Sequence, residues 1–77
     1  MTRELHIMDS EHAGRVNNVA CSAGFDIWLH GETQMLDAKS LLSVYAMVGQ
    51  DVKVVVEDDV DKRVFNRVAK AMGCACA

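Results

Sequence analysis

The chain has 77 residues, 51% hydrophobic and 25% charged, with a formal net charge of −3. This length makes one domain, residues 1–77, with a modest core, and the acidic balance lacks the basic face of a nucleic-acid binder. No apolar run approaches the roughly 18 residues of a membrane span, and residues 1–6 carry no signal-peptide core, so the expectation is a cytoplasmic protein with no membrane insertion.

Residues 3–8 place Leu5 and Ile7 on one face and Glu4 and His6 on the other, as a short strand does. Asp9 and Ser10 are N-cap residues for a helix over about 11–23, where Val16, Val19, Ala20 and Ala23 recur at helical spacing and Gly24 ends the run. A second strand begins at Phe25, with Phe25, Ile27 and Leu29 facing one way. Gly31 and Glu32 turn the chain, and residues 33–37 return. A second helix spans 40–48, with Leu41, Leu42, Val44, Tyr45 and Val48 as its apolar side and Gly49 as its stop. Val52, Val54 and Val56 mark a central strand. Asp58 and Asp59 then cap a last helix carrying Val60, Val64, Val68, Ala71 and Met72, with acidic residues at its start, basic ones toward its end and Gly73 closing it. The order β-α-β-β-α-β-α calls for an α+β fold, an antiparallel sheet with helices on one face.

Three cysteines, Cys21, Cys74 and Cys76, do not make a disulfide framework. Cys21 is expected to be a small buried helix residue. Cys74 and Cys76 form a C-x-C tail, expected to be reduced and frayed, because two thiols cannot complete a tetrahedral metal site. No cofactor motif is present, and the acidic run Glu57-Asp58-Asp59 with Asp61 lacks the spacing of a calcium loop.

Two places can carry chemistry. His12 lies in the first turn of the first helix, where amide N–H groups and the dipole favour an anion, and Arg15 follows on the same helical face. Gly14 would let the backbone approach closely. An exposed His12 would then be a nucleophile forming a covalent phosphoryl intermediate, with Arg15 clamping the phosphoryl oxygens. The bland alternative is a solvated residue in a helix's first turn. Ser40 is the second place: as an N-cap it is structural, and a phosphate there would be electrostatically tolerated.

The segment Asp37-Ala38-Lys39-Ser40-Leu41-Leu42-Ser43-Val44-Tyr45-Ala46-Met47 resembles the Ala-Lys-Ser-Leu/Ile segment of the HPr family, the histidine-containing phosphocarriers of the bacterial sugar phosphotransferase system. The resemblance covers nearly the whole chain and is strongest over 27–47. It implies an HPr-like open-faced β-sandwich, a four-stranded antiparallel sheet of order 1-4-2-3 with three helices on one face. It implies a phosphocarrier that passes a phosphoryl group through His12 between donor and acceptor proteins of the phosphoenolpyruvate-dependent system. Ser40 would match the family's regulatory serine, phosphorylated by a kinase, and the partner surface would include Leu41, Val44 and Trp28. The family pattern at the first helix is histidine, any residue, arginine, proline. This chain reads Ser10-Glu11-His12-Ala13-Gly14-Arg15-Val16, so the arginine is displaced by one and the proline is absent. A relative that kept the fold as an interaction or regulatory module and lost the phosphohistidine chemistry is therefore the alternative.

In that strand order the fourth strand separates His6 from His30, so no metal site is expected. The open sheet face presents Met8, Trp28 and Val55 beside Lys53 and His30, a surface for a partner or for a homodimer.

Overall fold

The structure is a computed structural model and describes residues 1–74; Cys76, and with it the C-x-C pairing, lies outside the described residues. Seven elements follow one another: β1 (Thr2–His6), α1 (Ser10–Ser22), β2 (Trp28–His30), β3 (Met35–Asp37), α2 (Leu41–Tyr45), β4 (Asp51–Val55) and α3 (Lys62–Met72). The four strands form one sheet in the order β1-β4-β2-β3, with every neighbouring pair antiparallel. The order and direction agree with the expectation from the sequence. No helix among the described residues is long and apolar enough to cross a membrane.

Alternation assigns the two sheet faces. Leu5, Leu29, Val52 and Val54 point to the helices and are buried, and Ile7, Ile27 and Val56 extend the same layer just beyond the strand ends. On the opposite face the register lines up Thr2, Val55, Trp28 and Asp37 in one row, Glu4, Lys53, His30 and Met35 in the next, and His6 beside Asp51 in a third. This face is mostly polar, and Trp28 is only half-buried at one end of it. Met8 lies beyond the end of β1 and is exposed.

Alpha1 packs on both α2 and α3 and buries Ala13, Val16 and Ala20. Val19 and Ala23, expected in the core, are half-buried at its margin. Asp9 caps α1, its Oδ1 accepting from the N–H of His12 at 2.8 Å. Beta2 is shorter than the alternation implied. Residues 25–27 are not strand, and the hairpin loop runs from Gly31 to Gln34, closed by the Gly31 N–H on the Gln34 carbonyl at 2.8 Å.

Alpha2 has five residues, about half its expected length, because the chain tightens into successive turns through Gly49. Gly49 has φ +84°, a left-handed backbone that favours glycine. Its N–H donates to the Ile7 carbonyl at 2.6 Å, which ties the end of α2 to the end of β1.

Alpha3 starts two to three residues later than its acidic run implied. Asp58 pairs instead with the Met1 ammonium at 2.9 Å, which holds its carboxyl below the ordinary carboxylate range. Asp61 is the true cap, accepting from the Arg63 N–H. The buried face of α3 is also rotated from the valine stripe. Phe65, Ala69 and Met72 are buried, Val68 is half-buried, and Val64 is exposed. Phe65 sets this phase, because an aromatic ring contributes far more apolar area than any valine.

Candidate functional site

His12 occupies the third position of α1, within its first turn, and is only 4% exposed. Its ring reaches the far end of α3. Nδ1 lies 3.0 Å from the backbone nitrogen of Met8, and Nε2 lies 2.7 Å from the Met72 carbonyl oxygen. A backbone N–H only donates and a carbonyl only accepts. The two partners therefore fix the ring as neutral, with its proton on Nε2 and its lone pair on Nδ1.

The end of α3 is built to meet this ring. Gly73 has φ +89°, and the N–H groups of Gly73 and Cys74 donate to the carbonyls of Lys70 and Ala69, a Schellman closure. A Cβ on Gly73 would stand 3.3 Å from His12 Nε2 and 3.8 Å from Arg15 Nη2, so glycine serves both the turn and the close approach. The Met72 carbonyl, one of the last four that a helix leaves without an internal partner, is taken up by His12.

His12 was expected to be an exposed nucleophile. It is instead buried and bonded at both ring nitrogens, so in this conformation neither nitrogen offers a free lone pair to a phosphoryl group. Arg15 is exposed and shares a shallow cleft with His12, Met8 and Gly73 at one end of the sheet. Glu11, also exposed, stands beside His12 in the first turn. A Cβ at Gly14 would meet nothing within 4 Å, so no close approach there requires glycine.

Ser40 precedes α2 in extended conformation and is exposed. Its hydroxyl does not cap the helix; it accepts from the Ser43 hydroxyl at 3.1 Å. The structural role expected of it is thus not the one it performs. The segment before it is held from both sides. The Asp37 carboxylate accepts from the Lys39 N–H at 2.9 Å, and the Asn17 side-chain amide donates to the Ala38 carbonyl at 3.1 Å. Sequence reading passed over Asn17, a polar residue one turn along from Ala13 on the buried side of α1. That position was the signal that could have found it.

The apolar side of α2 is divided differently from the expectation. Val44 is fully buried in the core and cannot be part of a partner surface, whereas Leu41, Leu42 and Tyr45 are exposed, Leu42 by 81%. Val48, in the turn that follows α2, is exposed as well. Cys21, expected to be buried, is exposed on α1, its Sγ 3.7 Å from the Lys39 carbonyl oxygen. Cys74 is buried rather than frayed, and burial pushes its thiol up from the ordinary range against a smaller opposing pull from Arg3.

His6 and His30 lie on either side of β4, as the strand order required. His6 Nδ1 pairs with Asp51 Oδ1 at 2.8 Å across the β1–β4 register, and His30 stands opposite Lys53. Among the described residues no group of three or more histidine, cysteine or carboxylate side chains could hold a metal ion.

No protein-family model and no curated protein sequence matches the chain. Among solved structures, HPr-C-His from Thermoanaerobacter tengcongensis superposes with a TM-score of 0.73 over 95% of this chain and 91% of that one, at 16% identity. The fold is therefore that of HPr: an open-faced α+β layer with the sheet order 1-4-2-3 and three helices.

Proposed function

We propose that the chain is an HPr-like interaction and regulatory module that docks on proteins of a phosphotransferase system and works without a phosphohistidine of its own. The observation that carries this reading is the state of His12, buried, neutral and bonded at Nδ1 and Nε2. A phosphocarrier needs a ring nitrogen that is open and nucleophilic. The docking surface is the exposed patch of Leu41, Leu42 and Tyr45 on α2 with Ser40 at its leading edge, and Arg15 beside the α1 end of the site. Ser40 is the control point: its hydroxyl is exposed and is not used in capping, so a serine kinase can reach it without dismantling the helix. Phosphate there would set a doubly charged group beside the apolar patch and alter what docks on it.

A second reading keeps the phosphocarrier. His12 sits at the N-terminal end of α1, Arg15 flanks it across Gly73, and the fold is that of HPr. It requires the bonds to Met8 and Met72 to open before phosphoryl transfer.

One experiment separates the two. The protein is incubated with phosphoenolpyruvate and the general phosphotransferase enzyme of its own host, then weighed intact. The proposed reading expects no acid-labile phosphoryl group. It expects one acid-stable group, lost in Ser40→Ala, when host extract and ATP replace the donor enzyme. An acid-labile group lost in His12→Ala would establish the phosphocarrier instead.

A further inference from the structure

His12 bonds Met8 through one ring nitrogen and Met72, 60 residues along the chain from it, through the other, and it is the one buried histidine of the three. We propose that it is a proton-operated latch fastening the end of α3 to the loop before α1. With its proton on Nε2 the ring closes both bonds, accepting from the Met8 N–H and donating to the Met72 carbonyl. A second proton can add only at Nδ1. There it meets the Met8 N–H, and two donors face each other where one bond had been. Turning the ring over does not help, because both nitrogens of an imidazolium are donors. The Met8 bond is lost, and a charge is left in a site almost closed to water. The loop carrying Met8 then separates from the last turn of α3, at the cleft where Gly73 and Cys74 close that helix.

The surrounding charges leave this assignment to the ring itself. Neither ring nitrogen has a carboxylate partner among the described residues. On its own helix, the Asp9 carboxylate is engaged by the His12 backbone N–H, Glu11 is exposed, and Arg15 flanks Gly73. On α3, Lys70 lies in the last turn and the Cys74 thiol follows it. Across the cleft stand Glu4 and His6 of β1, Asp51 and Lys53 of β4, and His30 and Glu32 around the end of β2. His6 and His30 line the same cleft, so the test has to exclude them. The latch rests on the contacts of His12 alone and stands whether or not the docking reading is right.

The test is nitrogen NMR of the imidazole rings with amide exchange on the full chain, from about pH 8 to about pH 5, where histidines exchange their protons. At the upper end the His12 ring should be neutral with its proton on Nε2. As it takes up the second proton, protection of the Met8 amide, corrected for intrinsic exchange, should fall about tenfold or more, as a local opening would give. The Gly73 and Cys74 amides should shift with the same midpoint. The double variant His6→Gln/His30→Gln should keep that step, and His12→Gln should abolish it. A Met8 amide that stays protected through the His12 titration would overturn the latch. So would a His12 that takes no second proton above about pH 5, or a step that vanishes in the His6/His30 double variant. If His12→Gln does not fold, the wild-type titration and the double variant decide the matter.

Discussion

The Asn17 side-chain amide on α1 donates to the Ala38 carbonyl, 21 residues away, in a place almost closed to water. Together with the Ala38 N–H, which donates to the Ile27 carbonyl at 3.0 Å, it moors the Ala38-Lys39-Ser40 segment to the body of the protein. Asn17→Ala leaves that carbonyl unpaired in the interior, and stability should fall by about 1–3 kcal/mol. Asn17→Asp should be worse than Asn17→Ala, because a carboxylate cannot donate and would face the carbonyl oxygen. Urea unfolding of the two variants checks the order; an Asp variant as stable as wild type would remove Asn17 from this role.

Phe65 is the largest fully buried side chain, and the Arg3 guanidinium lies 5.4 Å from its ring centre. Phe65→Ala should cost about 3–5 kcal/mol, most of the stability that a domain of this size commands. Val64→Ala, one residue earlier on the exposed side, should cost well under about 1 kcal/mol. Thermal unfolding followed by circular dichroism separates the two, and comparable losses would mean that α3 packs in the rotation implied by its valines.

The buried Cys74 thiol links stability to alkaline pH. Its pKa is raised in the folded protein, so unfolding at high pH is assisted by ionisation that the native state resists. Stability from this group is complete below the ordinary thiol range, near pH 8.5, and is lost as pH rises through the folded value. The urea midpoint of the wild type should therefore fall further between about pH 8 and about pH 10 than that of Cys74→Ala. In a Cys76→Ala background, a thiol reagent at neutral pH should modify exposed Cys21 about tenfold or more faster than Cys74.

Gly14 lies inside α1 with open space where a Cβ would be. Gly14→Ala should raise stability by about 0.5–1 kcal/mol, since alanine restricts the unfolded chain and favours the helix. A destabilised variant would show that something else needs the space beside this residue.

Leu42 is the most exposed large apolar side chain among the described residues. Leu42→Ser should leave the unfolding midpoint within about 0.5 kcal/mol of wild type, yet weaken retention of the protein on immobilised general phosphotransferase enzyme. Val44→Ser, by contrast, should lower stability itself, because Val44 is core. Equal retention of Leu42→Ser and wild type would remove α2 from the docking surface.

Where the chain is strongly periodic, the elements were legible before the structure. Leu5 and Ile7, Val52 and Val54, and the helical run from Val16 to Ala20 fall where their spacing places them. Boundaries were less legible because local signals compete. Asp58 reads as a helix cap but is drawn off by the Met1 ammonium, leaving Asp61 to start α3. The site was legible in position and not in state. Ser40 stands exposed at the head of α2, whereas His12 lies at the expected end of α1 with its ring turned inward.

The sequence by itself determined the order of elements and the core faces of the strands, since each depends on neighbours within a few residues. Only the tertiary structure decided which way His12 faces, which α2 residues remain outside and which face of α3 is buried. Those outcomes depend on partners far along the chain: the Met72 carbonyl for His12, the core beneath Val44, and the apolar layer that Phe65 fills. No local pattern encodes a hydrogen bond across 60 residues, and that bond sets the chemical state of the ring.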